Sequence, residues 1–131
     1  MKWPVCMITV LLAGCDVFGV GGACTLEPEF GIHVSVLDSV AGTVINSGKV
    51  TVVARDGVYV DSMSVVGNSH PILLVGERPG TYDLEVNAEG YAPWDKRGVK
   101  VSRGECHVKR VDVVARLTRS SALGERVHLL K

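Results

Sequence analysis

The stretch Thr81-Tyr82-Asp83-Leu84-Glu85-Val86-Asn87-Ala88 decides the fold class of this chain. Its polar and apolar side chains alternate strictly, so one set faces a core and the other faces water, as in a half-buried β-strand. Shorter alternating runs occur at residues 32–36, 50–55 and 99–101. No window of useful length shows a 3.6-residue apolar repeat. The chain is therefore predicted to be all-β.

Turn signals separate these runs and favour a small antiparallel β-sandwich. Asp56-Gly57 suits a tight hairpin turn that needs a positive φ. Pro79-Gly80 suits the centre of a type II turn, in which the glycine would take the positive φ. Together they predict short strands joined by tight connections.

Three segments of the domain are harder to assign. Residues 64–70 are predicted to be a loop. Val108 and Val111 fall on opposite faces of one strand, so a single strand through both needs a β-bulge near Lys109-Arg110. The tail, residues 119–131, is left open between an additional edge strand and a frayed end.

Size and composition indicate one folded domain. The chain has 131 residues, of which 47% are hydrophobic and 21% charged, enough apolar surface to form a core. Lys plus Arg and Asp plus Glu number 14 each, and the longest basic cluster is the pair Lys109-Arg110. Nucleic acid is excluded as a partner, because a nucleic-acid binder needs a clustered basic face.

The N-terminus has the layout of a secretory signal. One positive charge, Lys2, precedes an apolar stretch that ends in two small residues before Cys15. The sequence Leu12-Ala13-Gly14-Cys15 resembles the lipobox of bacterial lipoproteins. The resemblance implies removal of residues 1–14 and a diacylglyceryl group, carrying acyl chains such as palmitate, on the Cys15 sulfur. Residues 15–30 then form a glycine-rich tether, and the protein faces the periplasm or exterior as a membrane-anchored part of the bacterial cell envelope.

Two other interpretations of this segment remain open. The signal could be an ordinary cleaved one, or residues 17–23 could extend it into an uncleaved membrane anchor. Asp16 and the glycines that follow make the longer anchor the weaker alternative. An aspartate directly after the lipidated cysteine resembles the inner-membrane retention signal of enterobacterial lipoproteins, a rule that other bacteria do not follow. The choice between inner and outer membrane therefore stays open.

The four cysteines can be assigned by compartment. Cys6 leaves with the signal and Cys15 carries lipid, so Cys24 and Cys106 are predicted to form a disulfide in an oxidising compartment. The closed loop of about 80 residues would contribute roughly 4–5 kcal/mol at most. Two free thiols or half of a metal site are the alternatives, but the spacing is not that of a zinc site.

Residues 31–118 resemble a carboxypeptidase regulatory-like domain, a small sandwich with the transthyretin-like arrangement of strands. The resemblance is carried by three stretches, in order: Ala41-Gly42-Thr43-Val44, the run 49–54, and Pro79-Gly80-Thr81-Tyr82-Asp83-Leu84-Glu85-Val86 followed by Ala88-Glu89-Gly90-Tyr91. In that family the domain accompanies a larger module. Here it stands alone, so the accessory role is not carried over directly.

No catalytic site, metal site or cofactor is predicted. The related hydroxyisourate hydrolases close their site with a Tyr-Arg-Gly-Ser tail, whereas this chain ends Val127-His128-Leu129-Leu130-Lys131. None of the four histidines has a sequence neighbour that completes a nucleophile–base pair or a metal spacing, so they are interpreted as satisfied or solvated. They are His33, His70, His107 and His128.

Tyr91 and Trp94 are the candidate ligand contacts. They lie in a loop-like segment, where aromatic side chains either bind a ligand or cap an open end of the sandwich, and packing is favoured. The prediction is a non-catalytic, lipid-anchored envelope protein whose sandwich binds an envelope protein or polysaccharide or serves as a scaffold. A small hydrolase and a carbohydrate-binding module are the alternatives.

Overall fold

The computed structural model describes residues 23–67 and 70–120, and within them the chain forms eight β-strands. No helix in this part of the chain is long and apolar enough to cross a membrane. The strands are β1 (Phe30–Asp38), β2 (Lys49–Asp56), β3 (Tyr59–Val66), β4 (Ile72–Gly76), β5 (Gly80–Ala88), β6 (Trp94–Arg103), β7 (Val108–Lys109) and β8 (Val111–Leu117).

The strands form two sheets that enclose one core. One sheet has the order β4-β1-β8 and the other the order β3-β2-β5-β6-β7. The predicted all-β sandwich is thereby confirmed. Every paired strand is antiparallel to its neighbour except β8, which runs parallel to β1 with Ile32 opposite Val111.

Val108 and Val111 do not fit the alternation of a single strand because the chain changes from one sheet to the other between them. Strand β7 belongs to the five-stranded sheet and β8 to the three-stranded one, with Arg110 between them. The expected bulge within one strand is therefore wrong, because the chain crosses between sheets at this point. Val108 and Val113 are both buried, each from its own sheet.

The core consists of the inward-facing side chains of both sheets. As the alternation predicts, Tyr82, Leu84 and Val86 of β5 are at most 2% exposed. Tyr82 is the largest fully buried side chain. The other core residues are Ile32, Val34, Val36, Ile45, Val50, Val52, Ala54, Ile72, Leu74, Val75, Ala88, Val99, Val101, Val108, Val113, Ala115 and Leu117.

One of the two predicted turns is confirmed and the other is not. Asp56 pairs with Tyr59 across a two-residue hairpin turn, and Gly57 has the expected positive φ of 58°. Gly80 instead begins strand β5, and positive φ falls earlier, at Val75 (61°) and Glu77 (50°). A Cβ at Gly80 would lie 2.6 Å from Asp56 Oδ2, so a larger residue there would have to displace the Asp56 side chain.

The predicted loop at residues 64–70 begins later than expected. Strand β3 continues to Val66, which pairs with Lys49 of β2, because cross-strand pairing extends the strand through this polar stretch. Residues 68 and 69 lie outside the described residues. The predicted signal with Cys6, the predicted lipidation site Cys15 and the tail after Ser120 with His128 also lie outside them.

The sandwich has two ends, and the two side-chain clusters described below lie one at each end. At the entry end, Phe30 starts β1 beside Gly76 at the end of β4. At the far end, Asp38 finishes β1 beside Leu117. The nine residues of β1 make eight steps and separate these ends by about 26 Å at ~3.3 Å per step.

Candidate functional site

A disulfide ties the incoming segment to the entry end of the sandwich. Cys24 and Cys106 are bonded, with their Cα atoms 5.3 Å apart, and they are 82 positions apart in the sequence. This confirms the predicted pair and leaves neither sulfur available as a metal ligand. The bond joins the segment before β1 to the connection between β6 and β7.

Beside the disulfide, three side chains form a chain of hydrogen bonds. His107 Nδ1 lies 2.5 Å from Glu77 Oε1, and His107 Nε2 lies 3.0 Å from Thr25 Oγ1. We call Thr25, His107 and Glu77 the entry cluster. Because Thr25 follows Cys24 and His107 follows Cys106, the disulfide itself brings the hydroxyl and the imidazole together.

Glu77 also holds the backbone of the incoming segment. Its carboxylate accepts the Glu29 N–H at 2.8 Å, and its own N–H donates to the Glu29 carbonyl at 3.0 Å. These contacts lower the pKa of Glu77, mainly through the Glu29 N–H and then through His107. The carboxylate therefore stays ionised and fastens the chain just before it enters β1.

The entry cluster was missed by sequence reasoning because its members are far apart in the chain. Glu77 and His107 are 30 positions apart, and Thr25 is 82 from His107. The prediction of a satisfied histidine holds for His107, which is bonded through both ring nitrogens. His33 lies half-buried on β1, and His70 lies exposed before β4. The described residues contain no group of three or more side chains that could hold a metal ion.

A second cluster lies at the far end around Asp38, the one polar or charged buried residue among those described. Its Oδ1 accepts the N–H groups of Val40 and Ala41 at 2.9 and 3.0 Å. Its Oδ2 accepts the Tyr91 hydroxyl at 2.9 Å and Arg119 Nε at 2.8 Å. These donors, first the backbone groups, hold the pKa of Asp38 far below its usual range.

Arg119 is held in position on the outside of this cluster. Its guanidinium carbon lies 5.4 Å from the centre of the Tyr91 ring, and its backbone bridges that of Tyr91. Its side chain is still 67% exposed. It borders a surface hollow of about 340 Å³, which is also lined by Asp38, Val40, Ala41 and Thr118. We call this the far-end hollow.

Tyr91 and Trp94 have the surroundings of packing residues. Both are partly buried against the core, and the Tyr91 hydroxyl is bonded to Asp38. Trp94 begins β6 opposite Val86 of β5. No aromatic side chain among the described residues is fully exposed, so these residues present no open stacking platform. Tyr91 instead helps to position Arg119.

The two sheets and the Cys24–Cys106 bond define this part of the chain as a small, disulfide-linked β-sandwich. No family model matches the chain, and a comparison with curated proteins gave no match.

Proposed function

We propose that this is a lipid-anchored cell-envelope protein, tethered through Cys15, whose non-catalytic sandwich binds or scaffolds an envelope partner. The observation that carries the proposal is the double fastening of the incoming segment at the entry end. Cys24 is bonded to Cys106, and Glu29 is held by Glu77. In an anchored protein these two contacts would pass a pull on the N-terminus to the β6–β7 connection and to Glu77 before it reached strand β1.

The length of the proposed tether limits how far the sandwich can lie from the membrane. Residues 15 to 24 span nine Cα steps, at most about 30 Å when fully extended. An anchored Cys15 would therefore keep the entry end within about 30 Å of the bilayer, and we propose that the far end faces away from it. In this proposal the carboxypeptidase regulatory-like module presents its far end to an envelope protein or polysaccharide.

The anchor is tested by the change Cys15→Ser. We expect the unchanged protein to incorporate labelled palmitate and to sediment with membranes, because two or more acyl chains bind a bilayer almost irreversibly. The Cys15→Ser variant should lose the label and leave the membrane fraction. Cys6→Ser is the matched control and should keep both properties. Label that persists in Cys15→Ser, or an unlabelled parent protein, would disprove lipidation at this position.

A small hydrolase is the second candidate, because the entry cluster has the geometry of a nucleophile, a base and an orienting carboxylate. In such a reaction the imidazole of His107 would take the Thr25 hydroxyl proton while the oxygen attacks an ester carbonyl. The leaving alcohol would receive that proton, and water would then hydrolyse the acyl group from Thr25. The competing explanation is that the same bonds only fasten the chain.

Hydrolysis of p-nitrophenyl acetate distinguishes these explanations. We expect the parent protein and Thr25→Ala to release p-nitrophenol at equal rates, because Thr25 is exposed to water and Glu77 is engaged by the chain it fastens. Thr25→Ser and the distant His70→Gln serve as controls. A rate that falls about 100-fold in Thr25→Ala and survives in Thr25→Ser would establish the hydrolase instead.

A further inference from the structure

We propose that the far-end hollow binds a carboxylate attached to a short apolar group, with the Arg119 guanidinium as the anion-binding element. The inference rests on the proposed function, because it names the ligand class of the end that faces away from the membrane. Its evidence is the juxtaposition of a fixed, exposed guanidinium with exposed aliphatic side chains around one hollow.

The contact that positions Arg119 engages only one of the N–H donors of its guanidinium, the one on Nε. A guanidinium has five N–H groups in a planar fork, and the ion pair to Asp38 is made through Nε. The side chain as a whole is 67% exposed, so the guanidinium keeps donors for hydrogen bonds with a carboxylate. The Tyr91 ring and the backbone pairing on either side of Arg119 limit its freedom, so less side-chain entropy is lost on binding.

The hollow also supplies an apolar contact. Val40 is 89% exposed beside Ala41, and both residues donate their backbone N–H to Asp38. These two bonds fix the loop that carries the exposed valine. A single exposed valine needs no explanation by itself. Here it borders a hollow of about 340 Å³ that also contains the guanidinium, a volume suited to a small group.

The arrangement of charges predicts that the hollow binds a carboxylate in preference to its amide, with modest affinity. Asp38 neutralises Arg119 but is itself bonded by two backbone N–H groups and a phenol, so the ligand does not need to displace it. One carboxylate and one small apolar contact should give a Kd of roughly 1 mM.

The test is a titration of the purified ¹⁵N-labelled protein, followed by NMR at the backbone amides of residues 39–41 and 118–120. The probes are acetyl-alanyl-alanine with a free carboxylate, its C-terminal amide, and butyrate. We expect saturable shifts with the free acid and none with the amide. Arg119→Lys keeps a cation beside Asp38 but loses the fork, and it should weaken binding at least fivefold.

Two further variants test the apolar contact and provide a control away from the hollow. Val40→Ser leaves the Asp38 hydrogen bonds to the backbone in place and should also weaken binding, while Arg103→Gln at the entry end should not. Equal binding of butyrate would assign the site to small carboxylic acids, whereas binding of the peptide alone would assign it to a polypeptide C-terminus. Absent shifts, equal binding of the amide, or unchanged affinity in Arg119→Lys would overturn the site. None of these results would affect palmitate labelling at Cys15, so a failure here is separable from a failure of the anchor.

Discussion

Replacing Cys24 and Cys106 together with serine is expected to lower the free energy of unfolding by about 4 kcal/mol, with about 5 kcal/mol as the upper figure. The bond links residues 82 positions apart, so its loss frees a long loop in the unfolded chain. The stability of a domain of this size is itself only about 5–15 kcal/mol. The disulfide therefore accounts for a large share of it.

Urea unfolding of the oxidised protein, the reduced protein and the double variant measures this effect. The reduced protein and the variant should agree, because both lack the same covalent link. Thr25→Ala serves as the control, since it disturbs the entry cluster but keeps the bond. A loss below about 1 kcal/mol, or two thiols that can be alkylated in the unreduced Cys24–Cys106 pair, would contradict the prediction.

Tyr82→Ala is expected to cost about 3–5 kcal/mol of stability, the range for deleting a large buried aromatic side chain. Tyr82 is completely buried, and its ring meets that of Tyr59 edge-on at 6.1 Å. Its hydroxyl donates to the Arg78 carbonyl at 2.9 Å and accepts from Arg78 Nη1 at 2.7 Å. Tyr82→Phe should cost about 1–2 kcal/mol, because it removes only these hydrogen bonds.

Thermal and urea unfolding of both variants provide the measurement. Thr81→Ala, on the exposed side of the same strand, is the matched control and should change stability by less than about 0.5 kcal/mol. Equal effects of Tyr82→Ala and Thr81→Ala would show that the β5 side chains are not packed as described.

The contacts around Tyr82 give a packing reason for the residues Gly80 and Tyr82 in the stretch Pro79-Gly80-Thr81-Tyr82. A Cβ at Gly80 would lie 2.6 Å from Asp56 Oδ2 and 3.1 Å from the Tyr82 hydroxyl. Arg78 pairs with that same Asp56 at 2.7 Å. These contacts around Tyr82 close the entry end of the core, so the stretch has a packing role in this chain.

Local patterns were sufficient for the fold class, the core of β5 and the hairpin at Asp56-Gly57. Alternation with period two shows which face of a strand is buried, and this depends only on neighbouring residues. The disulfide was also predicted, because the expected removal of Cys6 and the expected lipidation of Cys15 would leave two cysteines. The conformation at Gly80 was not predictable from local sequence. The space around this glycine is limited by Asp56, which lies 24 positions earlier in the chain.

The sequence by itself thus determined that this chain forms a sandwich and which strand faces are buried. Only the tertiary structure decided that β8 runs parallel to β1 and that Glu77 meets His107. It alone also joined Asp38 to Tyr91 and Arg119, which are 53 and 81 positions away. The physical reason is that a strand's own residues encode its inner and outer faces, whereas its neighbours depend on the packing of the whole chain.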